Sequence, residues 1–223
     1  MARSKKTRGN SVLVIGLGRF GGAVAQSLTH MGHDILAIDE DLSLVQSWSE
    51  QLTHVVQADS RNIDALRKLG AQDFLHAVVA IGSDIEASVL TVLALSELGV
   101  PDIWAKAVSA NHGKILEKTG AHHVVFPEAA MGERVAHLVT GKMIDFIEFD
   151  DDFAIVKTRP PRESIGKTLE QSALRTRYGI TVVGVKRPRQ DFTYAKPDTL
   201  VIEGDLLIIS GPTSKVEQFA ALP

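Results

Sequence analysis

The sequence predicts an α/β fold in which a parallel sheet is covered by helices on both faces. Over the first 125 residues, short β-rich runs alternate with segments whose apolar residues recur at helical spacing. Glycine closes several of the helical segments, as in HMGHD, KLGAQD and ELGVPD. Because strands that alternate with helices at this density are parallel and buried, the pattern indicates a sheet with helical cover on each side.

Six strands and five intervening helices are predicted in this part of the chain. The strands are expected at residues 12–15, 34–38, 54–57, 77–81, 103–107 and 123–126. Between them, helical spacing of apolar residues covers 21–31, 42–51, 63–69, 83–98 and 111–119. A further amphipathic helix is expected at 129–142, with an apolar face formed by Met131, Val135, Leu138 and Val139.

A second, smaller α/β C-terminal domain is predicted after the acidic stretch that ends at Asp152. Its strands are expected at 154–158, 180–186 and 205–210, and its helices near 168–175 and 214–221. The predicted organisation is one domain at 11–130, a helix and linker at 131–151, and the second domain at 152–223. Because about 70 residues bury only a marginal core, we expect the second domain to dimerise.

The bulk composition narrows the function classes. The chain has 223 residues, of which 44% are hydrophobic and 23% charged, with a net charge of −3 and no cysteine. This balance does not favour nucleic acid, and the lack of cysteine excludes thiolate metal sites, disulfides and cysteine nucleophiles. No apolar run approaches the ~20 residues that span a bilayer, and no signal-peptide pattern follows the basic tail MARSKKTRGN. We expect a cytoplasmic protein with a solvated N-terminal tail.

The segment SVLVIGLGRFGG joins the first strand to the first helix and carries Gly16, Gly18 and Gly21 in the spacing G-x-G-x-x-G. The first glycine permits a tight turn, the second lets the backbone approach a pyrophosphate, and the third lets the helix pack on its strand. The amides at the helix N-terminus then face the anion. Asp39 ends the second strand, where a carboxylate accepts hydrogen bonds from ribose hydroxyls. This register predicts a Rossmann-like parallel sheet that binds an adenine nucleotide.

The charged residues around this motif bear on which nucleotide is bound. Asp39 and the two acids after it would repel a 2′-phosphate, so NADPH is disfavoured, but they do not separate NAD from ATP, ADP or AMP. Arg19 adds a cation to the phosphate loop, which suits a ligand with more phosphate charge; the alternative is a side chain in solvent. Gly82 and Lys106 follow the fourth and fifth strands, and Lys106 could bind a phosphate or be a surface lysine.

No catalytic constellation is visible in the sequence. Hydride transfer needs a substrate pocket and a proton donor, commonly His, Lys or Tyr. Neither tyrosine has a lysine four residues later, and no histidine follows His137. A lysine-bearing Walker loop is absent as well. The sequence therefore predicts a binding protein that is not an enzyme, with an NAD-dependent oxidoreductase or an NAD(H)-sensing regulator as the alternative.

Four segments together resemble a specific family: VIGLGRFGGAVAQSL, VVAIGSDIEASVLTVLALSELGVPDIWAKA, KILEKTGAHHVVFPEAAMGERVA, and YGITVVGVKR with EGDLLIISGP. In this order, over residues 11–219, they are similar to the cytoplasmic regulatory subunits of Ktr/Trk-type potassium-uptake systems. The resemblance implies an N-terminal RCK (regulator of potassium conductance) domain, a crossover helix after residue 129, and a small C-terminal RCK domain. It also implies dimers that assemble into an octameric ring beneath a membrane potassium transporter. In such rings ATP favours the active state and ADP the inactive one.

The same resemblance implies roles for the residues of the site. The implied cofactor-binding set is Gly16, Gly18, Arg19, Phe20, Gly21, Asp39, Asp59, Gly82, Lys106 and Glu128. Asp59 would contact the adenosine end, and Lys106 would face a phosphate. Arg19 would reach the γ-phosphate from the neighbouring subunit. Glu128 would help to hold a divalent cation, Mg²⁺ or Ca²⁺, near the nucleotide at the dimer interface.

One segment departs from the family pattern. Many members bind cyclic di-AMP across the C-terminal domain dimer through a segment resembling Leu-Asn-Val-x-x-Lys-Tyr-Gly, which here reads SALRTRYG with Ala173 in place of the asparagine. An asparagine amide can hydrogen-bond a base or phosphate and an alanine cannot. Arg175 and Arg177 keep positive charge nearby. Cyclic di-AMP therefore stays open as a further ligand.

Overall fold

The structure is a computed structural model that describes residues 10–140, 143–149 and 152–223. Residues 1–9 of the predicted solvated tail and residues 150–151 of the acidic stretch lie outside the described residues. The chain divides into two compact units, of which unit 1 ends at Glu128 and unit 2 begins at Ala129. Within the part of the chain that is described, no helix combines the length and apolar character needed to cross a membrane.

Unit 1 contains one parallel sheet of six strands in the order β3-β2-β1-β4-β5-β6. Every neighbouring pair in this sheet is parallel. The chain runs outward from β1 to β3 and then returns to the other side of β1 with β4. The connections that follow β1 and β4 therefore lead to opposite sides of the sheet, which leaves a crevice between the carboxyl ends of these two strands. The predicted parallel sheet is confirmed, with strands at Ser11–Ile15, Asp34–Asp39, His54–Gln57, His76–Val79, Asp102–Lys106 and His123–Val125 for β1 to β6.

Five helices of unit 1 cover the two faces of this sheet. Because β1 lies in the middle, Val12 and Val14 pack into a core on one face, and Leu13 and Ile15 pack into a separate core on the other. Those four side chains are buried, which explains why the strand reads as a continuous apolar run. The helices are α1 (Arg19–His30), α2 (Leu42–Trp48), α3 (Ile63–Lys68), α4 (Ile85–Glu97) and α5 (Ala110–Thr119).

The N-termini of α2 to α5 are fixed by side-chain caps. Asp41, Asn62, Asp84 and Ser109 each accept a hydrogen bond from a backbone N–H in the first turn of the helix that follows. A cap of this kind stabilises a helix by about 1 kcal/mol. The first helix differs, because its N-cap residue is Gly18 and no side chain caps its first turn.

Unit 2 contains a five-stranded antiparallel sheet in the order β10-β9-β11-β8-β7. Its core includes Phe146, Val156, Leu207 and Phe219, which are buried together. The helix α6 runs over Pro127–Thr140 and precedes the sheet. The remaining elements are β7 (Met143–Phe149), β8 (Phe153–Thr158), α7 (Leu169–Ser172), α8 (Leu174–Tyr178), β9 (Thr181–Lys186), β10 (Phe192–Tyr194), β11 (Leu206–Pro212) and α9 (Thr213–Ala220).

Unit 2 differs from the sequence-based expectation in three elements. β7 and β10 are the two edge strands, and neither was predicted as a strand. All three residues of β10 are exposed, so this strand lacks the alternating burial that reveals a strand in sequence. The helix expected near 168–175 is two short helices, because Ala173 between them adopts the left-handed conformation with φ 47° and ψ 33°.

Candidate nucleotide-binding site

A cavity of about 420 Å³ opens in unit 1 beside the carboxyl ends of β1, β2, β4 and β5. This edge, at the point where the strand order reverses, is where open α/β sheets bind ligands. The cavity brings together nine of the ten residues predicted to bind a cofactor: Gly16, Gly18, Arg19, Phe20, Asp39, Asp59, Gly82, Lys106 and Glu128. The tenth, Gly21, lies beneath the phosphate loop and does not line the cavity.

The phosphate loop turns at Gly16, whose φ of 92° is a conformation that side-chain-bearing residues rarely adopt. The Gly16 N–H donates to the carbonyl of Ile38 at 2.8 Å, which anchors the loop to β2. A Cβ built on Gly21 would lie 1.8 Å from the Gly16 carbonyl oxygen, so α1 could not pack this close with any larger residue there. A Cβ on Gly18 would meet nothing within 4 Å, which leaves open space for a phosphate above the N-terminus of α1.

Asp39 is fixed by two backbone N–H groups. Its Oδ2 accepts from the Leu17 N–H at 2.6 Å, and its Oδ1 accepts from the Asp41 N–H at 2.9 Å. The carboxylate therefore joins the end of β2 to the phosphate loop. An ionised carboxylate has about four lone-pair positions, so these two bonds leave capacity for the hydroxyls of a ribose.

Asp59 forms an ion pair that the sequence did not reveal. The Arg61 Nε lies 2.8 Å from Asp59 Oδ1, and the Arg61 Nη2 lies 3.0 Å from Oδ2. These hydrogen bonds hold the pKa of Asp59 below its usual value. Arg61 also lies 3.8 Å from Glu40. The end of the cavity expected to hold adenosine thus contains a cation between two acids.

Lys106 and Glu128 are directly paired across the other end of the cavity. The Lys106 Nζ donates to Glu128 Oε1 at 2.6 Å, and this bond lowers the pKa of Glu128, with a smaller contribution from the charge of Arg19. The Lys106 ammonium also lies 5.8 Å from the centroid of the Phe20 ring. A Cβ on Gly82 would lie 3.1 Å from Lys106 Cε, so glycine there gives the lysine side chain its room.

Arg19 is exposed at the start of α1. Among the described residues it makes no ion pair within 4.0 Å, unlike Arg61 and Lys106. Its charge still acts on Glu128 through space. Within the described part of the chain, no carboxylate therefore competes at ion-pair distance for the Arg19 guanidinium.

Glu128 fits a cation site only in part. Among the residues that the structure describes, it belongs to no cluster of three metal-ligating side chains. A hard divalent cation takes six or more oxygen ligands. The Glu128 carboxylate of one chain supplies only one or two of them. Phosphate oxygens and a partner subunit would have to supply further ligands.

The lining residues that the sequence did not predict include Leu44, Ser60, Arg61, Asp84 and Ala87. Asp84 has a local signal, because it caps α4 by accepting the Ala87 N–H at 2.9 Å. Arg61 has one as well, since its N–H donates to the Asp59 side chain two residues earlier. Leu44 and Ala87 carry no local sign of a ligand site.

The comparisons with known proteins follow the division of the chain. The TrkA-N domain family matches residues 12–127, and the TrkA-C domain family matches residues 153–223. The Ktr system potassium uptake protein C of Bacillus subtilis is 36% identical over 92% of this chain and 94% of its own length. The Ktr system potassium uptake protein A of Vibrio alginolyticus is 32% identical over 95% of this chain and 96% of its own.

Solved structures support the same fold. The RCK domain of the GsuK channel covers 99% of this chain and 50% of its own, with a TM-score of 0.67 and 20% identity. GsuK bound to NAD covers 99% of this chain and 40% of its own, with a TM-score of 0.64 and 20% identity. The structure of GsuK bound to ADP covers 60% of this chain and 35% of its own, with a TM-score of 0.51 and 19% identity. The two matched domains and the relatives that align with more than nine-tenths of this chain place it in the family of Ktr system potassium uptake proteins, built from a TrkA-N and a TrkA-C (RCK) domain.

Proposed function

We propose that this protein is a nucleotide-sensing subunit that gates a membrane potassium transporter, with ATP favouring its active and ADP its inactive state. The observation that carries the proposal is one cavity in which the phosphate loop, Asp39, Arg19 and the Lys106–Glu128 pair converge. The relatives that cover almost the whole chain are potassium uptake proteins. A structural neighbour is bound to ADP in one structure and to NAD in another.

The discrimination between ATP and ADP must come from the γ-phosphate. Both nucleotides share the adenosine, so contacts at Asp39 and Asp59 raise affinity without favouring either ring state. A ligand shifts an equilibrium only by its differential affinity for the two states. Arg19, which makes no ion pair among the described residues, is the cation best able to bind the additional phosphate. We assign it to the γ-phosphate of the nucleotide in a neighbouring subunit.

The energy needed is modest for each site. Moving a two-state equilibrium from nearly closed to nearly open takes about 5.5 kcal/mol. Divided over eight subunits of a ring, that is under about 1 kcal/mol each. One charge-assisted hydrogen bond supplies this amount. Arg19 can therefore act as the sensor although it lies at the surface.

The Lys106–Glu128 pair gives the site a second response to phosphate. Lys106 can bind a phosphate oxygen only by sharing or leaving Glu128, 2.6 Å away. Glu128 would then be free to hold a divalent cation, Mg²⁺ or Ca²⁺, together with phosphate oxygens. The cation would supply charge neutralisation, and the glutamate would position it at the subunit boundary.

Assembly into dimers and an octameric ring is part of this proposal. Met131, Val135 and Val139 on α6 are 54%, 46% and 78% exposed. An apolar stripe of this kind on a helix commonly marks a protein interface. We assign α6 to contact with a second copy, as expected of the crossover helix, and the assembled ring to the inner face of the membrane beneath the transporter.

An NAD(H)-sensing regulator is the alternative, favoured by the neighbour bound to NAD. Asp39 would accept hydrogen bonds from the ribose of either ligand. An NAD-dependent oxidoreductase has less support, because the described lining of the cavity includes a lysine but no histidine or tyrosine. A comparison of ATP, ADP and NAD(H) on the same protein separates these functions.

The substitution Arg19→Ala tests the proposed sensor. Because ADP lacks the γ-phosphate, we expect its affinity to change less than twofold, while ATP loses about three- to tenfold, the equivalent of one charge-assisted hydrogen bond. Isothermal titration of ATP and ADP into the assembled protein measures both affinities, and light scattering reports ring size. Arg67→Ala is the matched control, since Arg67 is an exposed arginine that pairs with Asp64 and does not line the cavity.

If Arg19→Ala loses affinity for ATP and ADP equally, Arg19 attracts anions in general, and its role as the sensor of the γ-phosphate is contradicted. An unchanged preference for ATP would contradict it as well. A protein that binds NADH more tightly than either adenine nucleotide would favour the alternative.

A further inference from the structure

Unit 2 contains a cluster of metal-ligating side chains that lies apart from the nucleotide site. Glu133 and His137 are one turn apart on α6, and Glu148 lies on β7. One ligand atom from each of the three residues lies within 4.8 Å of the other two. Among the described residues, this is the only group of three metal-ligating side chains that lie so close together.

His137 has a carboxylate beside one ring nitrogen, as metal-binding histidines commonly do. Its Nδ1 lies 2.9 Å from Glu217 Oε1 on α9, which leaves Nε2 available as a ligand. The ring also stacks on Phe146, with centroids 4.1 Å apart and an angle of 19° between the planes. A carboxylate on the second ring nitrogen fixes the tautomer and raises the basicity of the first.

Glu148 is positioned from a third element. Its Oε1 accepts a hydrogen bond from the Thr213 hydroxyl, at the start of α9, at 3.0 Å. The second carboxylate oxygen is left for another ligand. Thus α6, β7 and α9 each contribute either a ligand or the residue that orients one.

The charge around the cluster favours a cation. Glu133, Glu148 and Glu217 surround a single imidazole. Arg134, the cation next to Glu133 in the chain, is directed to Asp145 at 2.5 Å. Among the described residues, no lysine or arginine lies within ion-pair distance, 4.0 Å, of Glu133, Glu148 or Glu217.

We propose that Glu133, His137 and Glu148 bind a divalent transition metal, with Zn²⁺ as the ion that fits the donors best. One imidazole and two carboxylates suit Zn²⁺ and its neighbours in the first row, whereas Mg²⁺ and Ca²⁺ prefer oxygen ligands alone. Ligands about 2.1 Å from a tetrahedral zinc lie about 3.4 Å apart. The exposed side chains of Glu133 and Glu148 can close the remaining distance by rotation, with water as the fourth ligand.

The bound ion would tie α6 to β7 within unit 2. This is a role beyond nucleotide sensing, and it uses none of the residues of the nucleotide cavity. The site differs from the cation proposed at Glu128 in its donors, because that cation is bound by oxygen alone. Metal binding at the cluster should therefore be independent of nucleotide.

Titration of ZnCl2 into the full chain, free of any affinity tag and treated with a chelator, tests the proposal. We expect one Zn²⁺ per chain by isothermal titration and a higher Tm in its presence. CoCl2 should give the visible absorption of a tetrahedral site, while MgCl2 and CaCl2 at equal concentration should not displace Zn²⁺.

Variants assign the binding to these residues. His137→Gln and Glu148→Gln should each abolish binding at the one-to-one level. Glu217→Gln, which removes the orienting carboxylate, should weaken it about 10- to 100-fold. Two controls should bind as the original chain does: His76→Gln, at an exposed histidine paired with Asp102, and Glu128→Gln. Circular dichroism checks that each variant is folded.

The absence of saturable Zn²⁺ binding by the folded chain would overturn the proposal. Equal binding by both His137→Gln and Glu148→Gln would overturn it too, because the ion would then be elsewhere. If only Glu128→Gln lost Zn²⁺ binding, the ion would be assigned to the nucleotide cavity, and the proposal would be contradicted. Failure of this test leaves the nucleotide proposal unaffected, since that rests on different residues.

Discussion

At the scale of single residues, the three glycines of the phosphate loop do different physical work. Gly16 is required by its positive φ, and Gly21 by the 1.8 Å that would separate its Cβ from the Gly16 carbonyl oxygen. Gly18 has neither constraint, because its φ is −63° and a Cβ there would meet nothing within 4 Å. Its only evident need for glycine is the approach of a ligand.

The pair Gly18→Ala and Gly21→Ala tests this division of roles. We expect Gly18→Ala to lower the free energy of unfolding by less than about 1 kcal/mol, the usual cost of alanine at a helix N-cap. Its affinity for both ATP and ADP should fall at least about tenfold, because the methyl group occupies space needed by the phosphates. Gly21→Ala should instead destabilise unit 1 by about 2 kcal/mol or more through overpacking.

Chemical denaturation and isothermal titration of the two variants provide both measurements. Unchanged nucleotide affinity in a folded Gly18→Ala variant would show that the phosphates do not approach the loop at this position. Similar stability losses in both variants would contradict the steric distinction.

At the scale of elements, the break between α7 and α8 shows how one residue divides a helix. The spacing of apolar residues near 168–175 predicts a single helix, but Ala173 is left-handed and ends α7 one residue before α8 begins. Alanine in this conformation costs about 1–2 kcal/mol, whereas asparagine tolerates it. An asparagine at this position would suit the left-handed backbone and could also hydrogen-bond a ligand. Ala173 also lines a cavity of about 510 Å³ in unit 2.

The substitution Ala173→Asn should therefore stabilise unit 2. We expect its free energy of unfolding to rise by about 0.5–1 kcal/mol, part of the cost of the left-handed conformation. Ala173→Val is the matched comparison and should lower stability, because a β-branched residue is strained at positive φ. Urea denaturation followed by circular dichroism measures both. A destabilised Ala173→Asn variant would contradict the conformational explanation.

At the scale of the whole molecule, the nucleotide site and the proposed metal site lie in different compact units. The nucleotide cavity is built entirely from residues up to Glu128, and the metal cluster from residues after Ala129. Each unit has its own sheet and its own core. Ligands of the two sites should stabilise the units that bind them.

A panel of ligands on the complete protein tests the nucleotide assignment at this scale. Ligands that bind only the native state stabilise it. ATP and ADP at concentrations 100-fold above their Kd should therefore raise the free energy of unfolding by about 2.7 kcal/mol. NADPH should give the smallest shift, since Asp39 and Glu40 repel its 2′-phosphate. Inorganic triphosphate, which lacks adenosine, is the control. Thermal unfolding measures the shifts, and a larger shift with NADH than with ATP would contradict the proposed ligand.

Much of this architecture could be predicted because its causes are local. The alternation of apolar runs with helical spacing predicted all six strands of unit 1, and the loop that starts at Gly16 lines the cavity to which we assign the nucleotide. β10 escaped prediction because all three of its residues are exposed, and β7 because its buried residues, Met143 and Phe146, are three positions apart and not two. Arg61 and Asp84 were not predicted, because their local hydrogen bonds, in a turn and in a helix cap, are common wherever no ligand binds.

The sequence by itself determined the family, the parallel sheet and nine of the residues that line the cavity at the carboxyl edge of that sheet, since period, glycine spacing and strand ends are properties of neighbours in the chain. Only the tertiary structure decided which side chains meet. Lys106 and Glu128 are 22 residues apart and share a hydrogen bond, and His137 reaches Glu217 on a different helix. Such contacts depend on how elements pack, which no local pattern encodes.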